Sequence, residues 1–462
     1  MTLIKSISGF RGTIGGKAGD NFTPVDIVTL TAAYAQWLKQ QCPQKKLKVV
    51  VGRDARISGE MAAALVVGSL LGSGIDVVNI GLATTPSTEL AVVYENADGG
   101  IILTASHNPK QWNALKLLNS KGEFLNAAEG KLLLEIAEKS QYSFSDIDDI
   151  GKVVKHYNFN SIHIKKVLEN SYVDVDAIRN AKFKIVVDGV NSVGGVIIPE
   201  LLRQLGVEVV ELNCEPTGNF AHNPEPLPEN LSEISHKVVA ENATLGIVVD
   251  PDVDRLALVC EDGTMFGEEY TLVSVADYVL SKTKGNTVSN LSSSRALRDI
   301  TEKHGAQYFS AAVGEVNVVE KMKATNAIIG GEGNGGVIFP DCHCGRDALI
   351  GIALFLTNLA NKQLTALQLR ATYPNYFMSK NKIQLSSDIN IDNIFNVIKK
   401  KYSAQRITDI DGVKIDFDSE KMWALLRKSN TEPIIRIFAE ANTATAANEL
   451  ARKIIDDVNS LI

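Results

Sequence analysis

Leu245-Gly246-Ile247-Val248-Val249 runs directly into Asp250-Pro251-Asp252-Val253-Asp254-Arg255. The first five residues are apolar or Gly, too few for a helix and unbroken by any polar side chain. That pattern suits a short strand covered on both faces, as in a parallel or mixed sheet packed between helices. The next six residues place three carboxylates within five positions. Alternate residues of an extended loop point the same way, so Asp250, Asp252 and Asp254 can converge. Once close, they repel one another unless a cation neutralises them. All-oxygen ligation favours Mg2+, Ca2+ or Mn2+ over zinc. The plain alternative is a solvated acidic turn. An EF-hand loop would use Glu261 at its twelfth position, but its sixth position is Arg255 rather than Gly, and Leu256-Ala257-Leu258-Val259 continues as a strand.

Working outward, the same grammar recurs. Lys48-Val49-Val50-Val51 runs into Gly52-Arg53-Asp54-Ala55-Arg56, and Lys184-Ile185-Val186-Val187 into Asp188-Gly189-Val190-Asn191-Ser192. These two units look most alike and point to a repeated α/β domain. Ile101-Ile102-Leu103 leads into Thr104-Ala105-Ser106-His107-Asn108-Pro109, so this polar loop also lies just beyond a strand end, where α/β sheets carry function. Asn108-Pro109 fixes a turn with Ser106 at its tip. Ser-His alone is most simply an ordinary polar turn. A Ser-His-Asp hydrolase is a further option, but no Gly-x-Ser-x-Gly surrounds Ser106 and the Asp cluster would go unused. A hydroxyl able to carry a phosphoryl group, together with a carboxylate cluster fit for Mg2+, is the minimum equipment for phosphoryl transfer.

At 462 residues the chain exceeds a single core and predicts about three or four domains of ~100–150 residues. A polar, Asp-rich stretch at 141–155 marks one junction. A second lies at the Asp cluster before Arg255, and Tyr373-Pro374-Asn375 marks a third. The expected domains are 1–152, 153–252, 253–372 and 373–462. The last predicts a smaller α+β unit: a helix over 392–402, a hairpin near Asp411-Gly412, a strand at 423–426 and a closing helix from Thr443. A net charge of −7 and 45% apolar residues describe an ordinary globular protein and argue against a nucleic-acid or anionic-membrane surface. The start of the chain shows no apolar core of signal-peptide length. The longest uncharged run, 61–75, falls short of the ~20 residues a membrane span needs and predicts a buried helix. Five scattered Cys suit reduced cytoplasmic thiols. Cys342-His343-Cys344 has no second ligand pair nearby in sequence, which speaks against zinc.

With these motifs in order over the whole length, the chain resembles the α-D-phosphohexomutase family, its opening Ser6-Ile7-Ser8-Gly9-Phe10-Arg11-Gly12 most like the phosphoglucosamine mutase branch and its archaeal-type relatives. The resemblance implies three similar mixed-sheet α/β domains followed by a smaller α+β C-terminal domain around a central cleft. It implies a phosphoserine at Ser106. It also implies one Mg2+ held by Asp250, Asp252, Asp254 and a phosphoserine oxygen. Arg11 would stand beside the phosphoserine, with Lys116 and His107 helping proton transfer. The family's Gly-Glu-x-Ser-Gly-His loop grips sugar hydroxyls. Here it reads Gly331-Glu332-Gly333-Asn334-Gly335-Gly336, so Glu332 matches, Asn334 replaces the Ser and Gly336 replaces the His. The same run has Gly-x-Gly-x-x-Gly spacing, but Val337-Ile338-Phe339-Pro340 follows as a strand rather than the helix a dinucleotide site needs. Gly345-Arg346-Asp347-Ala348 also resembles the third domain of the family. Arg427-Lys428-Ser429-Asn430-Thr431-Glu432-Pro433, with Arg436 beyond, resembles the family's phosphate clamp, a set of donors suited to a dianion. Arg255 completes the implied substrate contacts.

The implied reaction converts glucosamine 6-phosphate to glucosamine 1-phosphate through phospho-Ser106 and a hexose 1,6-bisphosphate, which also serves as activator. Glucose and mannose phosphates are the alternative substrates. A sugar-phosphate-binding protein without turnover and a phosphatase using the same metal loop are rivals of other classes. The expected partner is a small hexose phosphate, with no nucleic acid or membrane, in a monomer or homodimer.

Overall fold

The computed structural model describes residues 2–6, 9–43, 46–385, 389–429 and 434–461. Three of its four sheets are built on one plan. In the first, the strand Lys48–Arg53 pairs in parallel with Asp76–Leu82 on one side and with Gly99–Leu103 on the other. Gly99–Leu103 then turns back antiparallel into Trp112–Leu118. The second sheet repeats this with Lys184–Asp188, Glu208–Leu212, Leu245–Val249 and Leu256–Cys260. The third repeats it again with Asn286–Asn290, Tyr308–Ala311, Ala327–Glu332 and Gly336–Ile338. The repeat read from the first two units therefore extends to a third. In all three, the hairpin between the last two strands carries a segment singled out in the sequence: the Ser106 loop, the Asp loop and the Gly-rich loop.

The continuous apolar runs are explained by helices on both faces. Val49 and Val51 point to the side covered by the helices Pro24–Gln41, Gly59–Gly72 and Ala127–Glu138, while Val50 points to the side covered by Thr85–Tyr94. The helix Gly59–Gly72 falls in the run expected to be buried, but only one face is inside. Ala62, Val66 and Leu70 are fully buried, whereas Met61 is 37% exposed. The second and third sheets share one uninterrupted core. The helix Ala348–Lys362 packs against both Val175–Ala181 and Glu268–Lys282.

Two expected boundaries cut across sheets. Val153–His156 pairs in parallel with Asp76–Leu82, so the first sheet continues past 152. Leu256–Cys260 pairs residue for residue with Leu245–Val249, so a division at 252/253 would sever a hairpin. The last ~90 residues form an antiparallel five-stranded sheet with the helices Ile391–Lys401 and Ala444–Asn459, in the order expected. No described helix is long and apolar enough to cross a membrane.

Candidate active site

Ser106 sits at φ 48°, a left-handed conformation that non-Gly residues rarely adopt. Its surroundings impose it. Thr104 Oγ1 accepts from the Ser106 N–H at 3.0 Å and donates to Asp54 Oδ2 at 2.7 Å. Arg56, fully buried, pairs with Asp54 at 3.0 Å and gives its remaining N–H groups to loop carbonyls. It donates to those of Ser106 and Asn108 at 2.6 Å each, Pro109 at 2.8 Å and Trp112 at 2.9 Å. One guanidinium from the first strand–loop unit thus shapes the whole serine turn.

The Asp loop is strained in the same manner. Val253, β-branched, sits at φ 63°. Its side chain is fully buried, and its carbonyl accepts from Ala348 N at 3.2 Å. The turn folds the three carboxylates inward. Asp250 Oδ1 accepts from the N–H groups of Asp254 and Arg255, and Oδ2 accepts from Ser106 Oγ at 2.7 Å. Asp250, Asp252 and Asp254 are all fully buried, each with an oxygen within 4.8 Å of the others. Asp252 Oδ1 and Asp254 Oδ1 are buried with no hydrogen-bond donor among the described residues. Two orphaned carboxylate oxygens beside a third carboxylate form a donor set that fits a hard divalent cation.

Charge around this cluster is uneven. Burial, then Asp254 and Asp252, push the Asp250 carboxyl well above the usual carboxylate range. Burial acts the same way on Asp252. There it is outweighed by Lys116, whose Nζ lies 2.6 Å from Oδ2, and by Thr85 Oγ1 at 2.6 Å, so Asp252 stays ionised. Lys116 also reaches Asp254 at 3.3 Å, and the two aspartates hold it protonated despite its burial. Burial, followed by Arg255, pushes His107 down to about 2. The ring is neutral, with Nδ1 3.3 Å from Ser106 Oγ. Arg11 lies opposite Ala114 in the sheet, close enough to act on His107 electrostatically. Its buried Nε has no partner among the described residues.

The Gly-rich loop joins this cluster through Arg346. Its Nη2 donates to Asp254 Oδ2 at 2.7 Å and its Nη1 to Glu332 Oε2 at 2.9 Å. Glu332 Oε1 accepts from Asn290 at 2.7 Å. Asn334 turns its side-chain oxygen onto Gly336 N at 3.2 Å, so that oxygen closes its own loop. Arg255 reaches Glu225 at 3.5 Å, and its buried Nε has no partner among the described residues.

The C-terminal residues form a separate group. Arg427 and Arg436 are directly opposed across two strands, and Lys382 is directly opposed to Arg436 on the next. Like charges facing each other on one side of a sheet destabilise it unless an anion lies between them. Arg427 Nε is held by Asp411 at 2.8 Å, and Asp411 also accepts from Val313 N of the third domain. Ser429 is buried, its N–H on Ile434 O. Asn430 and Thr431 lie outside the described residues. Among the described residues no hydrogen bond links this group to Ser106 or the Asp loop.

Several members of this constellation escaped the sequence reading. Arg56 and Asp54 stood in a quoted loop without a role. Lys382 had a signal in the alternation of Lys380 and Lys382 along Phe377–Gln384. Thr85 had none. Cys342-His343-Cys344 holds no zinc-like cluster among the described residues. His343 instead lies between Glu89 at 3.3 Å and Asp347 at 3.2 Å.

A serine facing an acidic loop whose oxygens fit a divalent cation, set in hairpins of repeated α/β domains, is an arrangement suited to phosphoryl chemistry. Comparison with known proteins agrees. The chain matches the phosphoglucomutase/phosphomannomutase alpha/beta/alpha domain I over residues 4–143, domain II over 161–263, domain III over 267–376 and the C-terminal domain over 387–457. It is 36% identical over 444 residues to a phosphoglucomutase/phosphomannomutase of Thermococcus kodakarensis, covering 95% of this chain and 96% of that one. It is 31% identical over 459 residues to a probable phosphoglucosamine mutase of Methanopyrus kandleri, covering 98% of each. A solved phosphoglucomutase/phosphomannomutase family protein from Burkholderia thailandensis superposes with a TM-score of 0.84 at 25% identity, over 99% of this chain and 97% of that one. The chain belongs to the phosphoglucomutase/phosphomannomutase family, the phosphohexomutases.

Proposed function

We infer that this chain interconverts glucosamine 6-phosphate and glucosamine 1-phosphate by way of a phosphorylated Ser106 and a hexose 1,6-bisphosphate. The observation that carries the phosphoryl-transfer reading is the 2.7 Å contact between Ser106 Oγ and Asp250 of the acidic loop. It puts the candidate phosphoryl carrier against the candidate metal ligands. Phospho-Ser106 gives its phosphoryl group to a free hydroxyl of the bound sugar monophosphate. The Ser106 Oγ–P bond breaks as the sugar O–P bond forms, and the hydroxyl proton passes to the neutral ring of His107, while the cations of Lys116 and Arg11 offset charge at the reacting oxygens. The bisphosphate turns over, and its other phosphate returns to Ser106. Glu332, with Asn334, orients sugar hydroxyls. Arg427, Arg436 and Ser429, with Asn430 and Thr431, hold the phosphate that is not reacting, and a set of opposed cations suits a dianion in either orientation. Asp250, Asp252, Asp254 and a phosphoserine oxygen would hold Mg2+, which when bound offsets charge on the transferring group.

The test follows isomerisation of glucosamine, glucose and mannose phosphates by 31P NMR, with Mg2+ and a catalytic amount of the bisphosphate. A preference for glucosamine of about tenfold in kcat/KM, about 1.4 kcal/mol in the transition state, supports the substrate assignment. The Thermococcus relative's name favours glucose and mannose phosphates as the second reading, and a preference for either sugar would establish it. Ser106→Ala retaining full turnover would remove the phosphoserine scheme. Release of inorganic phosphate as fast as isomerisation would make the protein a phosphatase.

A further inference from the structure

One departure from the family motif has no role in the scheme above: Gly336 stands where the motif has His. A Cβ added at Gly336 would lie 2.3 Å from Arg346 Cδ, closer than real Cβ atoms approach, and 3.1 Å from its Cγ, a tight contact. Arg346 fills the space that a side chain at 336 would need. The two residues are ten apart, and the chain reversal after Gly336–Ile338 brings them together: Ile338 forms an antiparallel bridge with Arg346.

From that space Arg346 extends in three directions. Nη2 meets Asp254 at 2.7 Å, Nη1 meets Glu332 at 2.9 Å, and Nε meets Glu315 at 3.1 Å. Glu315 is buried and accepts the Arg346 N–H through its other oxygen at 2.9 Å, so it anchors both the main chain and the side chain of this residue. The two terminal nitrogens then point to two different functional loops. Asp254 gives Arg346 its Oδ2 and leaves Oδ1, the orphaned oxygen, for a cation. Glu332 gives Arg346 its Oε2, while Oε1 is set by Asn290 and Gly314 N. A planar, rigid fork fixes the angle between two such partners, which a single ammonium does not.

We propose that Arg346, in the room left by Gly336, is a positioning residue that makes divalent-cation binding at the Asp loop and hexose-phosphate binding at Glu332 depend on each other. This rests on the mutase reading of the site. A cation that fixes Asp254 also fixes the guanidinium held by it, and so presents Glu332 already ordered to the sugar. By linkage the sugar tightens cation binding by the same factor.

The experiment uses full-length, dephosphorylated protein, which cannot turn over. Calorimetry measures the Kd of glucosamine 6-phosphate with saturating Mg2+ and with chelator, and the Kd of Mg2+ with and without the sugar phosphate. The wild type is expected to bind sugar phosphate at least about fivefold more tightly with Mg2+, the lower end of ordinary allosteric coupling. In Arg346→Lys both ligands still bind and the ratio falls below about twofold. Gly336→Ala, which pushes a methyl into Arg346 without removing a charge, is expected to lower the ratio likewise and serves if the Lys variant does not fold. A ratio in either folded variant equal to that of the wild type, or no coupling in the wild type, overturns the inference. Failure of the mutase reading looks different: the wild type then neither binds nor isomerises hexose phosphates.

Discussion

The Arg56 guanidinium donates to the main-chain carbonyl of Ser106 at 2.6 Å, from a loop fifty residues earlier in the chain. The contact is with backbone, so it sets the shape of the turn rather than the chemistry of the hydroxyl. Arg56→Ala removes five hydrogen bonds and leaves Asp54 buried without its ion pair. Such a loss typically costs about 3–5 kcal/mol. Urea denaturation should show a loss of that size, and mass spectrometry should show Ser106 phosphorylated far more slowly. Unchanged phosphorylation kinetics in the folded variant would mean that the turn holds without this residue.

Asp252 offers one orphaned oxygen inside the acidic loop. Asp252→Asn should weaken Mg2+ binding by more than the ~10–100-fold that changes beside metal ligands cost. Titration with Mn2+ followed by electron paramagnetic resonance reads this without any turnover. Affinity equal to that of the wild type would place the cation elsewhere.

Lys382 opposes Arg436, which opposes Arg427. If this row holds the non-reacting phosphate, Lys382→Ala removes one charge-assisted contact worth about 1.5 kcal/mol or more. KM for the sugar phosphate should rise about tenfold, and kcat should change much less. No change in KM would make Lys382 an ordinary surface charge.

His343 is buried between Glu89 and Asp347. Burial disfavours its charge, but the hydrogen bond to Asp347 and the nearby Glu89 carboxylate outweigh that and push it up to about 10. A raised folded pKa contributes stability that is complete below the unfolded value of about 6.5 and is lost as pH climbs toward 10. Burial pushes Glu89 up to about 8, which acts with the same sign from its ordinary value upward. The protein should therefore lose stability between pH 7 and pH 9, by up to about 1.4 kcal/mol per pH unit for each proton involved. His343→Gln should flatten that slope in urea midpoints. A wild-type profile level across this range would contradict the charged assignment.

The parts legible in the sequence were those whose chemistry is contiguous. Ser106 with His107, and the three aspartates of one loop, announce themselves within six residues. Each lies beyond a strand whose unbroken apolar run reflects helices on both faces. Arg56, Arg346 and Lys382 act on partners brought close by sheet pairing or hairpins, and nothing within a local window ties them to a site. The misplaced boundary at 252/253 has a related cause. Leu256–Cys260 reads equally well as the start of a new unit or as the return of a hairpin, and only its register against Leu245–Val249 separates the two. The helix Gly59–Gly72 misled for the opposite reason. Its outer face is apolar too, so periodicity did not show which side was inside.

The single core beneath the second and third sheets carries a consequence for how this molecule comes apart. Ile197, Leu201 and Leu258 on one side and Leu349, Ile352 and Phe355 on the other belong to the same dry interior. A fragment cut between these sheets would expose that surface to water, so neither half would persist alone. Heat should melt the two together in one cooperative step, while the C-terminal sheet has its own core and meets the third domain through the smaller cluster of Leu291, Trp423 and Leu425. By that measure the middle of the chain is one thermodynamic unit carrying two of the three repeated sheets.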